Sequence, residues 1–389
     1  MKGADADMAL RSRRLTMIFI LLLCTVLLTG CGSGGSIYSN YHALEELETV
    51  STLGLDRNLS GVTLSAAADR GGEAESPVLL RQTAPDLRLG MEALQDCAGE
   101  RQLFFAHTRY LVLGEDWAAD GIGALLDYVE RDVSTRMGAE LFILRGDRAE
   151  TLVTGSGNIA AVLNAAVRNA EHDGSSAVSS LHSVAVALSE YGAAAVCALR
   201  AEPTAGSTRS EAPEYTAVPD GYAILKNGAL TGFVSGAEAE ALGFLAKSPG
   251  TVIRRCTDGN GSSVVLELQR RGAPEFRLSQ TEEGLRFDVS LKLNAVISAV
   301  DTVTQAAELP DERELCRRAA AEVTEDAARV LAQLQSLDAD VFGLGAAVRR
   351  ECGSAQSFLK DAAFYVKTEV TMDHSYDMTE PLGMAGGSR

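Results

Sequence analysis

The chain has 389 residues, 46% of them hydrophobic, and a formal charge of −18 from 53 acidic against 35 basic side chains. So acidic a chain repels phosphate, which excludes the classes that hold nucleic acid or anionic lipid headgroups by charge. Of its seven cysteines five lie beyond Cys31, an odd number with gaps of 36 to 100 residues, which is neither a disulfide framework nor a zinc motif.

The first element is a leader. Arg11, Arg13 and Arg14 precede Leu15–Leu28, a run of 14 residues without a charge, whereas a membrane-spanning helix needs about 20. A basic start, a short apolar core and small residues at a cleavage point are the marks of a secretory signal over residues 1–30. The tetrapeptide Leu28-Thr29-Gly30-Cys31 resembles the lipobox of bacterial lipoproteins. That likeness implies cleavage between Gly30 and Cys31, and a diacylglycerol on the Cys31 thiol, with or without a further acyl chain on its amino group. The alternative is an ordinary signal with a chance cysteine; the Gly/Ser run Gly32–Ser36 favours a flexible tether behind an anchor. Removing residues 1–30, with four basic and two acidic side chains, leaves 359 residues near −20. That length predicts two or three domains.

Beyond the tether, Leu44, Leu47 and Val50 recur at spacings of three and predict a helix within residues 37–60, followed by a strand at Gly61–Ala67. Asp86–Cys97 reads as a short helix with Leu87, Met91 and Leu94 on one face. Leu103–Leu113 reads as a buried strand, and Trp117, Ile122, Leu125, Leu126 and Val129 share one face of a following helix. Ala139–Gly146 supplies a second buried strand, so a crossover unit and a parallel or mixed sheet are expected. Residues 201–220 hold three prolines and few large aliphatic residues and predict a linker. Gly221–Gly236 then reads as a hairpin about Asn227-Gly228. Alternating strands continue to about Val300, an amphipathic helix covers Asp311–Leu337, and Ala362–Asp373 is a last strand before a frayed tail over 376–389. The fold class is α+β, mixed sheets with packed helices: an N-terminal domain over 31–200, and a C-terminal one over 221–375 with a further division near 300 left open.

Candidate chemistry is sparse. His107 with Glu115 and Asp116 has the composition of a general-base pair. A histidine bonded internally within an apolar strand is the better reading, since no nucleophile motif accompanies it. Gly155–Ala160 imitates a dinucleotide fingerprint without the distal acid and reads as a turn opening a helix. His172, Asp173 and His182 are too widely spaced for a metal site, and Thr257–Ser263 lacks a calcium ladder and reads as a hairpin loop. Asp338 or Asp340 caps the segment that follows. Arg131, Asp132 and Arg136 form the most informative polar group: either a network locking a helix to the sheet, the favoured role, or a partner-contact patch. Cys97, Cys197, Cys256, Cys316 and Cys352 read as small buried hydrophobes, with one bridged pair left open. No catalytic residue, metal or cofactor is assigned.

The order of segments resembles the Ger(x)C lipoproteins, the C subunits of bacterial spore germinant receptors. The matching residues are the lipobox, Val50–Asp56, and then His107, Gly114-Glu115, Ala118, Gly121-Ile122, Leu126-Asp127, Arg131-Asp132, Arg136, Leu141 and Gly146. Gly221–Leu242 and Gln333–Cys352 continue the likeness, which spans residues 31 to about 372; Ser134 departs from it, where the family has an acid. The resemblance implies a non-catalytic, lipid-anchored receptor subunit needed for nutrient-triggered germination. It implies membrane subunits A and B as partners, no nucleic acid, and a place on the outer face of the inner spore membrane. The competing reading is a solute-binding lipoprotein that delivers a nutrient to a transporter. Only one clear crossover unit is present, against the several βα repeats such proteins carry. A cell-wall hydrolase would need a catalytic constellation that the sequence does not offer.

Overall fold

The computed structural model describes residues 47–70, 77–132, 135–204, 214–246, 250–257, 263–282, 284–301, 311–353 and 358–373. The lipobox with Gly30 and Cys31, and the tail, lie outside them.

Ten strands form the first sheet. Its main order is β10-β9-β8-β6-β5-β1-β2-β3, with short β4 beside β1 and β7 beside β6. The chain enters at β1 (Leu47–Asn58), turns into β2 (Gly61–Arg70) and adds β3 (Val78–Ala84) at the edge. Helix α1 (Leu87–Cys97) starts where Asp86 accepts a hydrogen bond from the Leu89 N–H and buries Leu87, Met91 and Leu94. After β4 (Gln102–Phe104), β5 (Tyr110–Gly114) runs parallel to β1, and helices α2 (Glu115–Asp120) and α3 (Gly123–Arg131) lead to β6 (Glu140–Leu144), parallel to β5. Helices α4 (Ala149–Gly155) and α5 (Ile159–Asp173), β7 (Ser179–Ser180) and α6 (Leu181–Tyr191) follow, and β8 (Ala193–Pro203) is parallel to β6. Antiparallel β9 (Tyr215–Lys226) and β10 (Ala229–Val234) complete the sheet. Alternation along the parallel strands fills both faces. Leu111, Leu113, Leu141 and Ile143 join Trp117, Leu125 and Val184 on one side, while Tyr110, Val112, Phe142 and Leu144 join Leu152 and Leu163 on the other.

Helix α7 (Gly236–Leu245) leads to the second sheet: β11 (Thr251–Thr257), β12 (Ser263–Arg270), β13 (Glu275–Thr281), the long β14 (Gly284–Asp301) and β15 (Ala363–Met372). Strands β12 and β13 pair antiparallel with successive stretches of β14, and β15 pairs with it in parallel. Helix α8 (Glu312–Leu337), capped by Asp311, buries Leu315, Ala319, Val323, Ala327, Val330 and Leu334 in the core that includes Phe287, Leu291 and Leu293. Short helices α9 (Gly345–Cys352) and α10 (Phe358–Asp361) precede β15. The result is the α+β arrangement of mixed sheets and packed helices.

Several local expectations give way to tertiary context. The helical spacing of Leu47 and Val50 lies in β1, where pairing with β2, β4 and β5 overrides it. The strand at Leu103–Leu113 is interrupted by a 3-10 turn at Phe105–His107. The helix through Trp117 and Val129 is two, because Gly121 (φ 112°) breaks it and the Ile122 N–H donates to the Gly228 carbonyl at 2.8 Å. Residues 201–220 do not part the sheets: Ala193–Pro203 pairs with Tyr215–Lys226, so the hairpin placed in the C-terminal domain belongs to the first sheet. Both sheets lie in one compact unit, Leu47–Arg389.

Candidate functional site

The matched segments converge in two places. In the first, Asp56 at the end of β1 is 2% exposed and accepts hydrogen bonds from the Ala149 N–H at 2.7 Å and the Glu150 N–H at 2.8 Å, covering the start of α4. A Cβ at Gly114 would collide with the Asp56 carboxylate. Next to it, Glu115 Oε2 accepts from the Gly146 N–H at 2.7 Å, tying the start of α2 to the turn after β6. Burial pushes the Asp56 carboxyl up and the two N–H donors pull it down, with burial the larger effect. Val50–Asp56, Gly114-Glu115 and Gly146 are thus one packing unit at the carboxyl ends of three parallel strands.

The second place is the turn between β9 and β10. Asn227 (φ 50°) and Gly228 (φ 85°) both take the left-handed conformation of a tight hairpin. Three segments hold it: the Gly228 carbonyl accepts from Ile122, and the Asn227 N–H donates to the Gly192 carbonyl at 2.7 Å. Lys226 Nζ donates to Asp338 Oδ2 at 2.6 Å. Asp338, itself left-handed (φ 52°), closes α8. Asp340 then accepts from the Leu344 N–H at 2.8 Å and the Gly345 N–H at 2.7 Å, so it is the capping residue of the pair. Burial raises the Asp340 carboxyl above its ordinary range against those donors. A polar cavity of about 140 Å³ lies between these elements, lined by Glu190, Lys226, Asp338, Asp340 and Arg349. With Asp338 bound to Lys226 and Asp340 to backbone amides, the arrangement fastens the first sheet to the elements around the second.

A further tie was not legible as a site. Arg254 on β11, its side chain 11% exposed, bonds Glu240 of α7 and Asp326 of α8, each at 2.6 Å. Arg329 adds Glu238 at 2.8 Å, Glu325 at 2.7 Å, and Asp326. The sequence carries one signal for it: Asp326 falls on the apolar stripe of α8, three residues after Val323, where an unpaired charge would be costly.

The remaining candidates are scattered. Arg131, 78% exposed, pairs with Asp127 one turn back on its own helix at 2.8 Å, which is not a lock between helix and sheet. Asp132 accepts from Tyr128 Oη at 2.9 Å and Thr135 Oγ1 at 3.1 Å, and the phenol is held protonated by burial and that carboxylate. The Arg136 side chain is exposed and its carbonyl accepts from the Ala139 N–H at 3.3 Å. Arg131 and Asp132 instead line a groove of about 360 Å³ between α1 and α3. His107 is exposed in the 3-10 turn, 5.3 Å from the Phe104 ring, and Glu115 is engaged with the Gly146 N–H, so His107 and Glu115 do not pair. His172 pairs with its neighbour Asp173 at 3.2 Å and His182 is exposed. Among the described residues no group of three His, Cys, Asp or Glu is placed to hold a metal. Asn158 caps α5 at the glycine turn, accepting from Ala161 at 3.0 Å. Cys197 and Cys256 are buried and Cys316 half-buried, but Cys97 and Cys352 are exposed, and all five thiols are free. No helix of the described residues is long and apolar enough to cross a membrane.

Comparison with known proteins gives the arrangement its context. Residues 40–201 match the family model of the spore germination protein N-terminal domain. Residues 220–376 match that of the spore germination B3/GerAC-like C-terminal region. No curated protein matches the sequence. The crystal structure of the GerBC protein has a similar fold, with a TM-score of 0.53 and 15% identity over 82% of this chain and 96% of that one. The edges of the two family segments, 201 and 220, fall in β8 and β9, so the C-terminal segment supplies the last two strands of the N-terminal sheet.

Proposed function

We propose that this chain, which belongs to the GerAC-like family of spore germination proteins, is a non-catalytic, lipid-anchored subunit of a germinant receptor and works beside membrane subunits of A and B type. The observation that carries the reading is the two family segments in order, over residues 40–201 and 220–376. The site supports a mechanical role. Its charged groups are spent on helix starts and on ties between the sheets, and the residues left exposed, Asp127, Arg131 and Arg136, suit contact with a neighbour. The anchor is a diacylglycerol on Cys31, and the body stands on the outer face of the inner spore membrane.

A tagged copy drawn from spore membranes in mild detergent tests this. It is expected to bring two membrane proteins with it, and spores lacking its gene are expected to respond poorly to nutrients. Isolation of the chain alone, together with normal germination after deletion, overturns the reading.

A further inference from the structure

Among the described residues, the helices pack on one face of the second sheet. Phe287, Val289 and Leu291 of β14 are at most 1% exposed in the core shared with α8. The alternate row, Arg286, Asp288, Ser290 and Lys292, points the other way, as expected of a sheet with one solvated face. On that outer face β13, β14 and β15 form a groove of about 440 Å³. Four cations line it, Arg277, Arg286, Lys292 and Lys367, against two acids, Glu275 and Asp288. Each acid is already held by an arginine, Glu275 by Arg277 at 2.9 Å and Asp288 by Arg286 at 2.6 Å. Glu369, the ladder partner of Lys292, stands beside the groove and moderates the excess without cancelling it. A cationic groove on a chain of net charge −18 is a local reversal of sign. Tyr365, 52% exposed, lies beneath the Arg286 guanidinium at 3.9 Å, which holds that cation at the groove.

We infer that this outer face docks an extended, acidic segment of a partner protein. A strand laid along β14 and β15 would present alternate side chains to the groove, with carboxylates meeting Lys292 and Lys367. The charge excess of the groove names the partner's sign, and the two-residue alternation of the side chains along paired β14 and β15 matches an extended chain. This inference is independent of the germination reading, because it rests on the groove alone.

The experiment is fluorescence anisotropy of labelled octapeptides of alternating Glu and Val, or Lys and Val, with the full chain in non-ionic detergent. The Glu peptide is expected to bind, and about tenfold more weakly when salt is raised from about 50 to about 300 mM. It should lose binding to the K292E/K367E double variant, whose exposed substitutions leave the fold intact by circular dichroism. Equal binding of the Lys peptide, or undiminished binding to a folded K292E/K367E variant, overturns the inference. So does absence of binding to the Glu peptide, including the case in which vesicles of anionic lipid bind instead.

Discussion

Asp56 and Gly114 share one space. The carboxylate at the end of β1 reaches the start of α4 only because position 114 has no side chain, since a Cβ there would overlap Asp56. Replacing Asp56 with Ala strands the buried Ala149 N–H, and Gly114→Ala displaces the carboxylate that serves it. Each change is expected to cost about 2–3 kcal/mol of unfolding free energy, read from urea denaturation. The double variant is expected to cost clearly less than the sum, because both act on one contact. Full additivity would show that the two residues do not share it.

Lys226 and Asp338 are the equivalent pair at the hairpin turn, 112 residues apart in sequence and 2.6 Å apart in space. Their side chains are 30% and 21% exposed, so solvent screens the pair only in part. Asp338→Asn keeps a residue that tolerates the left-handed backbone, which separates the charge from the turn. A double-mutant cycle with Lys226→Met is expected to give a coupling of about 1 kcal/mol, falling with added salt. A coupling indistinguishable from zero would remove this pair from the ties between the sheets.

What could be read in advance divides along physical lines. Helix α8 was legible because its apolar stripe repeats over 26 residues and its Asp311 cap is local. The Asn227-Gly228 turn was legible because left-handed geometry selects those residues. The break at Gly121 was not, because it depends on Gly228, more than 100 residues downstream. Likewise β1 carries a spacing that suits a helix, and only its neighbours in the sheet make it a strand. Asp56, Gly114 and Gly146 appeared as separate recurring residues. Their meaning, one carboxylate in one gap beside a tied turn, exists only in three dimensions.

Glu140 carries a pH effect whose sign can be worked out. Burial raises its carboxyl above 4.5, the Arg109 guanidinium opposes this, and Glu171 adds to it. Its Oε2 is buried with no hydrogen-bond partner among the described residues. The folded state therefore holds the proton more tightly than the unfolded one, and stability declines as pH rises from 4.5 through the folded value. Glu140→Gln removes that slope, so from about pH 4 to about pH 7 the variant should gain stability relative to the parent. Parallel denaturation midpoints for the two proteins at every pH would refute the assignment.

On the proposed reading, Cys31 is the residue that would attach the chain to the membrane. No helix of the described residues is long and apolar enough to span a bilayer, and a chain of net charge −18, or near −20 were residues 1–30 removed, would gain nothing from anionic headgroups. Acyl chains contribute about 0.8 kcal/mol per buried CH₂, so one chain binds reversibly and two hold stably. Cys31→Ala removes the thiol that would carry them. The exported variant is expected to move from the membrane pellet to the soluble fraction on ultracentrifugation, with its circular dichroism unchanged because the change lies outside the body at Leu47–Arg389. Partial retention that disappears when the membrane partners are absent would show that protein contacts assist the lipid. Full retention in their absence would mean that the anchor is not at Cys31.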